Sequence, residues 1–247
     1  MKSLTKLLVI ALFFPLNALV AQSSFFIGGN GGVNFSKFKH TVDLAELYTT
    51  SSSLSGLNGG VEFGLQLSNW TITSGVNYMQ KGGNYATDNF SDQNGVGFLS
   101  AKERLHYVSI PVLVGYRAPV SDNFGFSLDM GPSFNMGFSG KIDENIEYYA
   151  SEEVTNEQYS VDFGTGVNDD YKSTQVSFQF SPGMYFKLNN RSTITFNFTW
   201  DNDFRDAFNQ RYKQANTFFD DYKGSQFNRS TVLTIGYEHH INFSDKY

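Results

Sequence analysis

Acid–base or metal chemistry in this chain would have to rest on His, Asp and Glu, because it has no Cys and only four His. A zinc centre needs three or four convergent ligands. His239 and His240 are adjacent, and neighbours in an extended strand point to opposite faces, so they cannot chelate together. His40 lies close in sequence to Asp43 and to Ser51, Ser52 and Ser53, and His106 lies close to Glu103. A hydrolase site can be drawn from either set, but no motif fixes a nucleophile beside a base. Both read as ordinary polar connections. No catalytic residue, cofactor or metal centre is expected, and the lack of Cys also excludes a thiolate site, a disulfide framework and a lipid-carrying Cys.

Two other groups of residues invite a functional reading. Glu62, Asp129, Glu238 and His240 fall on the polar faces of alternating segments. Charges turned into an interior need partners or shifted protonation. This polar cluster reads either as a hydrogen-bonded plug or as an ion or proton path. The second group lies in segment 139–173. It holds nine acids, Asp143, Glu144, Glu147, Glu152, Glu153, Glu157, Asp162, Asp169 and Asp170, against two Lys, a net of −7. It lacks the spaced Asp-x-Asp-x-Asp-Gly pattern of a calcium loop. With Tyr148, Tyr149, Tyr159 and Phe163 alongside, it reads either as a solvated loop or as a surface that steers a cationic partner and offers apolar contact.

The elements that carry these residues are betrayed by alternation. Aromatics make up 17% of the 247 residues, with 25 Phe and 14 Tyr, yet mean hydropathy is negative. Interleaved apolar and polar positions are the mark of a strand with one greasy face. Eight segments show it. The clearest sets Phe124, Phe126, Leu128, Met130, Phe134, Met136 and Phe138 against Gly125, Ser127, Asp129, Gly131, Ser133, Asn135 and Gly137. Another sets Ile194, Phe196, Phe198 and Trp200 against Thr193, Thr195, Asn197 and Thr199.

Period two does not say which face is inside. A soluble barrel buries its large apolar face, whereas a membrane barrel turns it to lipid around a polar lumen. Three features select the second. The connections alternate long and short, the short ones being 68–69, 117–123 and 187–191. That is the rhythm of extracellular loops and periplasmic turns. Each segment has ten or more residues, enough for the ~9–11 that cross the hydrocarbon core. The polar face is rich in Gly, Ser, Thr and Asn, which suit a narrow lumen. Trp70, Tyr116, Phe124 and Phe186 sit near the short turns, and Tyr78, Phe138 and Trp200 near the long connections, as two interfacial girdles would. The expected fold is all-β, an eight-stranded antiparallel up-and-down transmembrane β-barrel with both termini in the periplasm.

Residues 1–21 read as a cleaved signal peptide. Lys2 and Lys6 precede an apolar run at 7–16 broken only by Pro15, and a short stretch leads to Ala21. Ten apolar residues are too few to span a bilayer as a helix. Removing them leaves 16 basic and 24 acidic residues, net −8, in the expected barrel domain 22–247. Such a charge excludes nucleic acid as a partner. Outer-membrane lipid is the expected surrounding, with a protein partner reached through the long loops.

With the strands placed, the chain resembles the outer-membrane β-barrel family common in Bacteroidetes, which includes PorT-like proteins. The residues that carry the likeness are Gly32-Val33-Asn34-Phe35-Ser36, Asn77-Tyr78-Met79-Gln80-Lys81-Gly82 and Tyr107-Val108-Ser109-Ile110-Pro111-Val112-Leu113, with the Ala21-Gln22 junction. The likeness covers 25–243 and implies the barrel and its location. It implies no catalytic motif. The first strand departs from that of the PorT secretion component. The sequence therefore points to a non-enzymatic barrel whose loops form a structural or binding surface. A part in a secretion or transport assembly is the alternative, and a barrel enzyme acting on lipid or peptide comes third.

Overall fold

A computed structural model describes residues 23–40, 50–92, 94–151, 153–164, 170–204, 207 and 226–242. The expected signal peptide lies outside them. Among the described residues twelve strands follow in chain order: β1 (Ser23–His40), β2 (Thr50–Ser52), β3 (Leu54–Leu67), β4 (Trp70–Asp92), β5 (Gly95–Pro119), β6 (Phe124–Tyr148), β7 (Val154–Ser160), β8 (Phe163–Gly164), β9 (Tyr171–Lys172), β10 (Thr174–Asn189), β11 (Ser192–Asp203) and β12 (Gln226–Asn242). Eight of them, β1, β3, β4, β5, β6, β10, β11 and β12, pair antiparallel with their neighbours. The ring closes where β10 pairs both β6 and β11 and where β12 pairs β1. A closed ring leaves no unpaired edge inside the bilayer, where an orphan N–H or C=O has no water to bond.

The apolar face points out. Phe196 is 41% exposed and its neighbour Thr195 5%. The same contrast holds for Ile110 against Ser109 and for Phe134 against Ser133, whose polar partners are buried. An interior of Ser, Thr, Asn and Gln cannot drive folding in water, but it is the right filling when the outside is lipid. The girdles are contact clusters. At the end with the short turns, Trp70 meets Tyr116 edge-on at 5.2 Å and Phe124 meets Phe186 at 4.8 Å. At the far end Tyr78 stacks on His106 at 5.9 Å and Phe180 on Trp200 at 5.7 Å.

The strands do not stop at the far girdle, which corrects the expectation of long loops there. β4 has 23 residues and β5 and β6 have 25 each. β4 and β5 stay paired out to Asp92 and Gly95, and β6 goes on to pair β7. The reason is a change in which face is apolar. Below His106 the inward residues of β5 and β6 are polar, such as Ser109, Ser133 and Asn135. Above it most are apolar, Leu105, Ala101, Ile142, Ile146 and Tyr148, all buried, with Glu103 the buried charged residue among them. On β6 the change is made by a bulge: His106 pairs Ser139 and Tyr107 pairs Gly137, so Phe138 is skipped and the faces exchange. Beyond the membrane the sheet thus buries its apolar side, as any water-soluble sheet does.

The exposed mouth is capped. Phe38, Ala101, Leu105, Tyr107, Ile142, Val161, Tyr171 and Ala207 form one buried apolar cluster, with Tyr85 and Phe163 against it. Val161, Phe163 and Tyr171 come from the 139–173 segment, so this part of the expected surface loop folds inward. Gly137 makes room for it, since a Cβ there would come within 2.2 Å of the Phe163 ring. Backbone bonds from Gly137 N to Ser173 O (2.9 Å) and from Lys172 N to Ala207 O (2.9 Å) fasten the cap to the rim.

Candidate functional site

Inside the barrel the alternating strands bring inward-facing residues from every wall into two charged layers. The inner layer lies toward the short turns. Arg117 on β5 donates from Nη2 to both oxygens of Glu238 on β12, at 2.6 and 2.8 Å. Its Nη1 reaches Gln66 Oε1 at 3.5 Å. The guanidinium lies between the Phe26 and Tyr185 rings, 5.6 and 5.5 Å from their centroids. His240 Nε2 is 3.1 Å from Glu238 Oε2, and its Nδ1 is 3.4 Å from Ser24 Oγ. Thr71 Oγ1 donates to Asp129 at 3.2 Å, and Asn30 Nδ2 donates to Glu62 at 3.2 Å and to Asn77 Oδ1 at 3.1 Å. Gly115 is needed here, because a Cβ at that position would sit 1.9 Å from Asp129 Oδ1.

Glu62, Asp129, Arg117 and Glu238 all line one cavity of about 90 Å³. The structure therefore brings together the four residues expected in the lumen, Glu62, Asp129, Glu238 and His240, and adds Arg117. Arg117 carries the same inward parity as Tyr107, Ser109 and Leu113, and extending that alternation two residues past Gly115 finds it. As the sequence requires, His239 and His240 part: His239 is exposed and His240 buried.

The outer layer was not anticipated. Lys81 Nζ, reaching across from β4, bonds Asp201 Oδ1 at 3.3 Å and Asp203 Oδ1 at 3.0 Å on β11, and all three side chains are fully buried. Gln179 donates to Asp201 Oδ2 (3.1 Å) and Asn228 to Asp203 Oδ2 (2.9 Å) and to Gln175 Oε1 (3.2 Å). Gln175 in turn donates to the Tyr107 hydroxyl at 3.2 Å, and Lys81 stands 5.6 Å above the Tyr107 ring. These charges continue the inward parities of β4 and β11 just beyond the girdle, where an alternation search for membrane strands ends.

Above the membrane, Tyr171 donates its hydroxyl to Glu103, and Gln226 donates to the Tyr171 oxygen at 3.3 Å. Burial pushes the Glu103 carboxyl up to about 8, opposed by the Tyr171 bond and reinforced by Asp170 and Glu144. Glu103 and His106 face opposite sides of β5, so they do not form a dyad. His106 instead bonds Tyr78 Oη through Nδ1 at 2.6 Å, within the girdle. Of the other drawn set, Asp43 and the His40 side chain lie outside the described residues, while Ser51, Ser52 and Ser53 are exposed.

The acidic residues do not gather on one surface. Asp143 pairs with Arg104 at 2.6 Å and accepts from Gln158, and these donors hold its carboxyl below the ordinary range. Glu144 is half-buried and its carboxyl is raised, first by burial and then by Glu157. Tyr148 turns into the sheet's core, whereas Tyr149, Glu147, Glu153 and Glu157 are exposed. Asp170 accepts from the Asp162 backbone N–H at 3.0 Å. Glu152 and Asp169 lie outside the described residues. Among the described residues no group of three or more His, Asp or Glu is arranged to hold a metal ion.

Residues 20–209 match the model of the outer membrane protein beta-barrel domain. The chain belongs to that family. It is an integral protein of the outer membrane. Solved structures with a similar course include Neisserial surface protein A at 9% identity, covering 90% of this chain and 99% of that one, with a TM-score of 0.41. OprG from Pseudomonas aeruginosa is similar at 10% identity, covering 90% and 97%, with a TM-score of 0.45. Ail of Yersinia pestis, solved with the heparin analogue sucrose octasulfate, is similar at 10% identity, covering 87% and 98%, with a TM-score of 0.37. No curated protein matches the sequence.

Proposed function

We propose that this family member is a non-enzymatic barrel with a closed lumen, and that it works through the β-sheet it raises above the membrane as a binding or structural surface. The observation that carries this reading is the exchange of faces at Phe138 and His106, beyond which β4, β5, β6 and β7 form a folded sheet past the far girdle. Rigid scaffolds that display connections are where binding residues concentrate. A closed lumen is supported by the two buried ion-paired layers and by the apolar cap. Two further features extend the reading. Periplasmic termini are supported by β1 beginning and β12 ending at the short-turn end, where Ser24 pairs Asn242. A place in the PorT-like branch of Bacteroidetes is supported by the Gly32–Ser36, Asn77–Gly82 and Tyr107–Leu113 segments.

The test joins residue 143 to residue 158 through an Asn-Gly turn. This removes the outer part of the β6–β7 hairpin and leaves Ile142 and the cap in place. Folding is checked by heat-modifiable gel mobility, and recovery of partners from gently solubilised outer membranes is compared with the parent. Loss of partner recovery in the folded variant is the expected result. A folded variant that keeps every partner and phenotype ends the surface reading. Nanosiemens-scale single-channel steps from pure protein in planar bilayers would end the closed-lumen reading, because an eight-stranded lumen filled by side chains is too narrow for them.

A further inference from the structure

On one wall of the barrel the far girdle is followed by a row of cations. Trp200 pairs Thr231 across β11 and β12, and Thr231 pairs Phe35 across β12 and β1. Trp200 and Phe35 are 41% and 43% exposed on the lipid face. Two residues further along each strand, about 7 Å on, the same outward row reads Asn202, Arg229 and Lys37. Lys39 stands one outward step beyond Lys37, opposite Phe227. Lys37, Lys39 and Arg229 are all exposed. Past the girdle at the short-turn end the outward positions are instead apolar, as at Leu67, Ala118, Leu188 and Ile241.

Lys37 and Arg229 are direct cross-strand partners, and like charges placed opposite each other destabilise a sheet. Another wall carries the same arrangement with an answer built in: Arg104 pairs Lys141 across β5 and β6, and Asp143 takes Arg104 at 2.6 Å. Among the described residues no carboxylate pairs with Lys37, Lys39 or Arg229. The adjoining connections do not supply enough acid either. Segments 37–49 and 205–229 together hold seven basic and five acidic residues, so two cations are left over even if every acid there is paired. An anion from outside the chain completes the row, and its position says what it belongs to. The polar headgroup layer is about 5–8 Å deep on each side of the hydrocarbon. Cations one step past a girdle stand in that layer. Directly below them Phe35, Val33 and Leu233 face the hydrocarbon. An anion seated there with an apolar body beneath it is a lipid.

We propose that the β12–β1 wall binds the phosphate of a phosphorylated lipid of the outer leaflet through Lys37, Arg229 and Lys39, with the lipid's hydrocarbon lying on the apolar strip below. The phosphate bridges the Lys37–Arg229 pair and so removes its repulsion. The site rests on the reading that the far end of the barrel is the extracellular one.

The experiment titrates the folded protein in detergent with diphosphoryl lipid A and follows bound lipid by native mass spectrometry, with heat-modifiable gel mobility as the check on folding. The expected result is saturable binding that weakens as salt rises. In Lys37→Gln/Arg229→Gln the dissociation constant should rise roughly tenfold or more, and fully dephosphorylated lipid A should bind parent and variant equally weakly. Lys187→Gln/Arg191→Gln, which removes two charges at the short-turn end, should bind like the parent. Equal binding by parent and Lys37→Gln/Arg229→Gln, or an equal loss in the short-turn variant, would overturn the proposal. Displacement of the lipid by equimolar inorganic phosphate would reveal a site for the free ion and overturn the assignment to lipid. The orientation is tested apart from binding. The chain has no Cys, so Ser53→Cys carries the one thiol, and an impermeant maleimide should label it on intact cells. Labelling only in broken cells would end both the extracellular reading and this site, whereas labelling of intact cells with no difference in lipid binding would end the site alone.

Discussion

Replacing Arg117 with Met tests whether the inner layer is held by charge. The guanidinium makes two bonds of 2.6 and 2.8 Å to Glu238, and these side chains are 9% and 5% exposed. Breaking a buried pair by removing one partner costs about 3–5 kcal/mol, because the other charge is left buried alone. Arg117→Met should reach the upper part of that range, since Glu62, Asp129 and Glu238 would face one 90 Å³ cavity without a guanidinium. Glu238→Gln should cost less, about 1–3 kcal/mol, because it weakens charge-assisted bonds but leaves Arg117 facing Asp129 and Glu62. The double variant should fall short of the sum of the singles by about 1–3 kcal/mol. Urea unfolding in lipid vesicles, followed by the fluorescence of Trp70 and Trp200, measures all three. A loss below about 1 kcal/mol in Arg117→Met, the reverse order of the singles, or simple additivity would refute the argument.

Three further outcomes follow from the same geometry. Phe196→Arg, on the lipid face, should cost about 2–4 kcal/mol or block assembly, and spin labels should find Phe196 open to lipid and Thr195 shielded; equal accessibility would sink the orientation. The Glu103 carboxyl is raised from its ordinary 4.5 to about 8, so the folded cap holds a proton that the opened cap releases. Its stabilisation is full below about pH 4.5 and is lost as pH rises through about 8, roughly 2 kcal/mol between pH 6 and 8. Protection factors at Leu105 and Tyr171, exchange corrected for the intrinsic rate at each pH, should fall over that window in the parent and stay constant in Glu103→Gln; constant factors in the parent would end this account. Leu105→Ala, fully buried in the cap, should cost the cap about 2–5 kcal/mol and open the chain at 161–164 and 170–173 to protease while leaving the barrel heat-modifiable; loss of the barrel itself would mean that cap and barrel are one cooperative unit.

How much was legible in the residues follows from the range over which one rule holds. Between Trp70 and Tyr78, or Phe124 and Phe138, lipid outside and polar lumen inside impose a strict period of two, and eight strands could be read from it. His239 and His240 could be parted, and Glu62, Asp129, Glu238 and His240 placed in the lumen, because parity alone decides the face. Past the girdle the solvent changes from lipid to water and the apolar face turns inward. The same strands then looked like loops, and Glu103, Leu105 and Ile142 went unread as a core. Lys81, Asp201, Asp203 and Arg117 stand within a few residues of where the membrane pattern ends, so parity could have found their faces. Their pairing across the lumen it could not find, because Lys81 and Asp201 are 120 residues apart. The amino-acid sequence by itself determined the barrel, its strand faces and its membrane belt, since these depend on local alternation against a fixed surrounding. Only the tertiary structure decided which charges meet, that Val161, Phe163 and Tyr171 cap the mouth, and that the acidic hairpin is a folded sheet, since each depends on contacts made by closing the ring.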